Sequence, residues 1–296
     1  MPLDQIIQYL LSGVTNGSIY AIAAIGFNII YNATGIINFA QGEFLMLGGM
    51  MSITFCQVMP LPLAILLAVL LTSCVGGLID FLFIRRLRKP TVLNMVIVTI
   101  GLSIVLREAA LHIWDEKTRS LPYFSGDETS SIGILGAYIS PQVLWVLGVC
   151  GLIVVLLTLF FRYTMVGKAM RACSSNQTAA RLCGISVKNM VTLSFMLSAA
   201  IGAAAGCVIS PITQTQYDSG TPLAIKGFTV AILGGLGNSP GAFVAGLFIG
   251  ILEAFSISVL PLAYKDVVTL LVLLLILFIK PSGLFGKREL SALKEF

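Results

Sequence analysis

Apolar stretches long enough to cross a lipid bilayer recur along almost the whole of this 296-residue chain, and no other feature restricts its fold so severely. About 20 apolar residues span a hydrocarbon core as a helix, because a helix rises about 1.5 Å per residue and satisfies its own backbone polar groups. Such stretches lie near residues 5–31, 36–58, 61–84, 92–113, 137–161, 190–210, 241–260 and 264–280, with a shorter one near 222–237. The expected fold class is an all-α integral membrane protein, a polytopic bundle of about eight to nine transmembrane helices. With 57% hydrophobic and only 10% charged residues, the chain carries more apolar surface than a soluble core of this size can bury.

The formal charge of +5 raises the question of an anionic partner. Most of the Lys and Arg residues fall in three clusters: Arg85, Arg86, Arg88 and Lys89; Arg162, Lys168, Arg171, Arg181 and Lys188; Lys280, Lys287, Arg288 and Lys294. Basic residues gather on cytoplasmic loops because they resist translocation, so the clusters mark three cytoplasmic positions rather than a nucleic-acid surface. Two crossings separate the first two clusters, through an acidic loop (Trp114 to Gly136) that is expected outside. Four separate the second and third if the 222–237 segment crosses fully, which places the N-terminus outside and gives nine spans. A re-entrant hairpin there would give eight and leave the basic tail outside. The intervening loops leave no room for a soluble domain, so residues 1–296 read as one membrane domain with a cytoplasmic loop over about 162–189.

Several function classes find no residues to support them. The N-terminus lacks a basic region and a cleavage site, and its apolar stretch is too long for a signal peptide, so it is expected to be retained. The six cysteines form no CxxC pair, which argues against a disulfide or metal framework. Neither Gly167-Lys168 nor Gly286-Lys287 completes a Walker A loop, so any ATP-hydrolysing subunit must be a separate chain. The single His112 has no nucleophile set around it and reads as a packed polar residue. No catalytic residue, metal or cofactor is expected.

Candidate functional residues lie in three places. Asn38, Gln41 and Glu43 are costly at membrane depth and should face protein or water, while Gly42, Gly48 and Gly49 allow close helix approach or a local break beside a solute path. Gly234, Gly235 and Gly237 have the same two readings, path or packing. Glu253 is a further intramembrane acid, and Asp80, Lys226, Lys265 and Asp266 are expected near an interface, where they can snorkel. Adjacent Arg107 and Glu108 point about 100° apart on a helix and should seek separate partners. The Gly-rich stretches Gly35–Met51 and Gly227–Gly250 could be corresponding parts of a duplicated unit.

The loop at 162–189 holds Thr178, Ala179, Ala180, Arg181, Leu182, Cys183 and Gly184, which resembles the EAA-x-x-x-G loop by which importer permeases dock on their ATPases, with Thr178 in place of Glu. The stretch from Gly35 through Ile36, Ile37, Asn38, Phe39, Ala40, Gln41, Gly42 and Glu43 strongly resembles the branched-chain amino acid ABC permease family, as do residues 228–242 and Ala180 to Ile185. The resemblance implies an ABC importer permease bundle in the bacterial cytoplasmic membrane. It further implies two cytoplasmic ATP-binding cassette subunits, a second related permease subunit as heterodimer partner, and an external solute-binding protein, with lipid around the spans. Its implied cargo is branched-chain amino acids or related small polar solutes such as urea and amides. Thr178, Ala179, Ala180, Arg181 and Gly184 would then couple to the ATPase. The competing reading is a secondary transporter or channel using Glu43 or Glu253 for ion coupling.

Overall fold

The computed structural model describes residues 3–87, 91–134, 137–261 and 264–286. Eleven α-helices are described: α1 (Leu3–Thr34), α2 (Gln41–Cys56), α3 (Leu61–Leu82), α4 (Val92–Trp114), α5 (Pro141–Tyr163), α6 (Met165–Ser175), α7 (Gln177–Leu182), α8 (Val187–Thr213), α9 (Gly220–Gly234), α10 (Ser239–Ser256) and α11 (Lys265–Ile279). A small antiparallel hairpin, β1 (Ile132–Ile134) with β2 (Ala137–Ile139), sits in the acidic loop where the sequence suggested that a span begins. The span itself starts later, at Pro141, whose fixed φ suits a first helical turn and which follows a capping Ser140.

Six helices, α1, α3, α4, α5, α8 and α10, are long and apolar enough to cross a membrane alone. The other three of the nine expected spans are shorter, α2 with 16 residues and α9 and α11 with 15 each. A helix of that length covers about 24 Å, less than the roughly 30 Å of a hydrocarbon core. For α2 and α9 the deficit is made up by non-helical links, residues 35–40 and 214–219, that carry the chain inward before the helix begins. The expected span at 36–58 is therefore interrupted: its first residues are link and helix starts at Gln41.

Packing relates α1–α4 to α8–α11 as two units of opposite direction. α1 lies antiparallel on α10, with Gly13 against Ile251 and Gly17 against Gly246. α8 lies on α3 in the same way, with Ala199 against Gly76 and Thr192 against Asp80. Each long helix leads through its link into a short one that folds into the other unit, α2 against α8 and α9 against α1. Such inverted repeats are a common transporter construction. The corresponding parts are thus 35–56 and 214–234, not Gly35–Met51 and Gly227–Gly250, since the latter stretch straddles α9 and α10.

These directions settle the path of the short ninth helix. α8 starts and α10 starts at the same end of the bundle, so residues 214–234 return the chain the full way. Arg85 bonds the Lys188 carbonyl at that end, and Leu284 N–H donates to Leu233 O there, so Arg85, the α6–α7 segment and Lys280 share one end as the charge pattern requires. Arg88, Lys89, Lys287, Arg288 and Lys294 lie outside the described residues. The acidic loop lies at the opposite end, where Gln8 of α1 bonds the backbone of Tyr138.

Helix association in lipid gains little from the hydrophobic effect and depends on close packing. Accordingly α1 is enclosed, with Ile22, Ala23, Ala24, Ile25 and Phe27 almost fully buried, while Leu70, Ile97, Val105, Leu156 and Leu274 on outer helices face outward.

Candidate functional site

The short helices α2 and α9 cross where their first turns meet. A Cβ placed on Gly42 would lie 2.1 Å from the Gly220 carbonyl oxygen, and one on Gly220 would lie 2.6 Å from the Gly42 oxygen, so the two backbones touch through positions that only glycine can occupy. The three polar residues named from sequence flank this crossing and are all buried, each facing different neighbours. Glu43 is buried; its Oε1 accepts hydrogen bonds from Ser103 of α4 (2.9 Å) and Thr221 of α9 (3.2 Å), and its Oε2 has no hydrogen-bond partner. Gln41 bonds Ser198 of α8, whose hydroxyl also lies 2.8 Å from the Gly26 carbonyl of α1. Asn38 turns the link by accepting from the Ala40 N–H at 3.1 Å, leaving its Nδ2 without a partner. One carboxylate thus touches three helices at the centre of the bundle, with unused hydrogen-bonding capacity in a place where such capacity is expensive.

The named glycines separate into two groups. Gly48 packs on the Ala203 backbone and Gly49 on Thr215, both along α2. Gly234 closes α9, and Gly235 and Gly237 form the following turn with φ of +94° and +85°, far from the crossing. Gly237 is held by Asn28, whose Oδ1 accepts its N–H at 2.9 Å, and by Asn32, whose Nδ2 donates to its carbonyl at 2.9 Å. That turn borders a cavity of about 720 Å³ at the basic end, lined also by Tyr31, Arg162 and Arg171.

Sequence reasoning missed the partners of the other intramembrane charges. Glu253 is fully buried and saturated: Lys226 and Lys265 pair with it, Tyr20 donates at 2.8 Å and Thr269 at 2.6 Å. Lys226 therefore does not snorkel but bridges Glu253 and Asp266, the latter at 2.7 Å. Asp80 is likewise buried, accepting from Arg85 at 3.1 Å and Thr192 at 2.5 Å. His112, expected to be packed, is instead exposed and bonds the Glu108 carbonyl one turn back.

In the basic segment, Asn176 caps α7 by accepting from the Ala179 N–H, and the chain turns just past the end of the helix at Gly184, with φ of +80°. Ala180 is buried with Cys173 and Val187, whereas Thr178, Ala179 and Arg181 are exposed and Leu182 more so, at 86%. Burial pushes the Cys173 thiol above its ordinary pKa, against a smaller opposing effect of Arg181. Among the described residues no cluster of His, Cys, Asp and Glu could hold a metal ion.

Comparison with known proteins agrees over nearly the full length. Residues 9–277 match the family described as branched-chain amino acid transport system / permease component. The chain is 36% identical to the high-affinity branched-chain amino acid transport system permease protein BraD of Pseudomonas aeruginosa, over 96% of this chain and 97% of that one. It is 34% identical to LivH of Escherichia coli, with the same coverage, and 22% identical to the ribose import permease protein RbsC of Haemophilus influenzae, over 83% and 76%. No solved structure matches. Six membrane-length apolar helices and these relatives make the chain a multi-pass inner-membrane transport subunit and not an enzyme. It belongs to the branched-chain amino acid transport permease family.

Proposed function

We propose that this chain is the membrane-spanning permease of an ATP-driven importer that moves branched-chain amino acids into the cell by alternating access. Membership of the family implies separate ATP-binding subunits and an external solute-binding protein. We further assign it a second, related permease as partner and two ATPases beneath the pair. The observation that supports this reading is the crossing of α2 and α9 at Gly42 and Gly220, which puts a buried carboxylate with one unbonded oxygen, that of Glu43, in mid-bundle. Two helices that begin inside the membrane can tilt at their links without unravelling a full span.

The α6–α7 segment is the proposed point of coupling. Its tip presents Leu182, Arg181 and Thr178 outward from a short capped helix braced by Ala180, Cys173 and Val187. An exposed apolar side chain on a rigid basic knob suits a groove on a partner subunit better than it suits water. The secondary-transporter reading is weakened at Glu253, whose oxygens are already occupied by two lysines, a tyrosine and a threonine.

Leucine uptake with the partner ATPases inactivated tests the proposal. Accumulation should disappear; uptake that persists undiminished, or that collapses with an uncoupler while ATP is held constant, refutes it.

A further inference from the structure

We propose that Glu43 and Arg107 together bind the zwitterionic head group of the transported amino acid, Glu43 receiving the ammonium and Arg107 the carboxylate. The inference rests on the transport reading above and gives it a molecular contact.

Arg107 lies well inside α4, one turn beyond Ser103, the residue that donates to Glu43. Residues four apart share a helix face, so the guanidinium stands on the face that meets Glu43, and the two charges feel one another. They do not touch: no ion pair joins them, and Arg107 makes no hydrogen bond or ion pair among the described residues. An arginine held half-buried in an apolar span without a partner is unfavourable, as is a buried carboxylate oxygen with none. Asp80 Oδ1 also lacks a hydrogen bond, but Asp80 and Glu253 each have a basic partner, and Glu43 has none in an ion pair among the described residues. Asp218, which also acts on Glu43, is exposed and leaves Arg107 unpaired.

Opposite charges near each other but unjoined, with Ser103 and Thr221 between α4 and α9, match a solute that carries both charges on one carbon. An α-amino acid supplies a donor to Glu43 Oε2 and an acceptor for the planar guanidinium fork. Alongside these charges lies an apolar cluster of Met46, Met50 and Trp114 with Leu106 and Tyr217, joining α2, α4 and the 214–219 link. Met46 follows Glu43 by one turn and Leu106 precedes Arg107, so a solute held by its head group would lay its side chain against this cluster. Methionines there give an adaptable seat for aliphatic chains of different branching.

The test is saturation-transfer NMR on the purified permease–ATPase complex, without binding protein, using leucine, leucinamide (no carboxylate) and 4-methylpentanoate (no ammonium). The wild type should prefer leucine to both analogues by about tenfold, the scale of one charge-assisted hydrogen bond. Glu43→Gln keeps an acceptor for Ser103 and Thr221; it should lose only the preference over 4-methylpentanoate. Arg107→Gln should lose only the preference over leucinamide. Uniform weakening for all three ligands, unchanged preferences, or no preference in the wild type overturns the assignment. ATP-dependent leucine uptake by the wild-type complex with its binding protein, measured in parallel, separates the cases: uptake present with unaltered preferences removes the zwitterion site alone, whereas its absence removes the transport reading as well.

Discussion

Tyr20 in the first helix donates a 2.8 Å hydrogen bond to Glu253 in the tenth, 233 positions further along the chain, where both side chains are enclosed by the bundle. The bond joins the helix at the heart of one unit to the helix that packs back on it from the other. The matching helix pair of the other unit, α8 on α3, carries a bond of the same kind at a different height, Thr192 to Asp80 at 2.5 Å, near the opposite end of the molecule. Each buried acid is charge-balanced locally, by Lys226 and Lys265 in one case and Arg85 in the other.

Lys226→Met should therefore be far more damaging than Asp266→Asn. Removing Lys226 leaves the fully buried Glu253 carboxylate with Lys265 as its remaining cation, a loss that approaches but does not reach the about 3–5 kcal/mol of a buried pair broken outright. Asp266 is 73% exposed at its side chain, and such pairs contribute only about 0–1 kcal/mol. Thermal unfolding of the two variants in detergent should show a large downward shift for the first and almost none for the second; equal shifts would contradict the assigned network.

At the α2–α9 crossing, Gly42→Ala should abolish uptake or prevent assembly, because the added methyl would stand 2.1 Å from a backbone oxygen that has no rotamer with which to yield. Gly101→Ala on α4 is the matched control, since nothing lies within 4 Å of its Cβ position. Membrane yield and leucine uptake of both variants decide the point. Wild-type behaviour of Gly42→Ala would mean that the two short helices do not meet as described.

Most of the bundle was legible because lipid imposes a simple rule: charge is excluded from spans, so the long uncharged runs and the basic clusters between them reveal helices and their direction. Glu43 and Gln41 stood out for the same reason, as polar groups where the rule forbids them. The interruption at 35–40 was not legible, because Ile36, Ile37 and Phe39 are as apolar as any helical residues. Their backbone leaves the helix for tertiary reasons: Asn38 turns the link and the Phe39 N–H is met by Thr99 of α4 at 3.3 Å. Nor could Asp80 be read as buried, or the partners of Glu253 be named. The helix neighbours of Asp80 permit an interfacial position, and the hydroxyls that meet the two acids, Thr192 and Tyr20, come from distant segments.

The turn after α7 should tolerate Gly184→Asn but not Gly184→Val. Its φ of +80° is strained for any side chain, by about 1–2 kcal/mol, and most so for a β-branched one, whereas asparagine visits this region readily. Space is not the issue, because nothing lies within 4 Å of the Cβ position. The Ile185 N–H to Ala180 O bond of 3.0 Å would be lost as the backbone relaxes, moving Leu182 and Arg181 at the tip. Uptake should fall in the valine variant at unchanged membrane levels and stay near normal in the asparagine variant; equal transport by both would remove the turn from the coupling route.

Thiol labelling gives the sharpest check on orientation. Cys183 is exposed at the end of α7, while Cys173, only ten positions earlier, is fully enclosed by Ala180 and Val187 and has its thiol pKa raised by that burial. The thiolate is the reactive form, so at pH 8 a raised pKa leaves less of Cys173 ionised in addition to shielding it, and both effects slow its reaction. A membrane-impermeant maleimide should therefore label Cys183 rapidly in inside-out vesicles and leave Cys173 nearly untouched, with the signal lost in Cys183→Ser. In right-side-out vesicles neither should react. Labelling of Cys183 from the outer face alone would invert the bundle, placing the basic end outside and the α6–α7 segment beyond the reach of any ATPase.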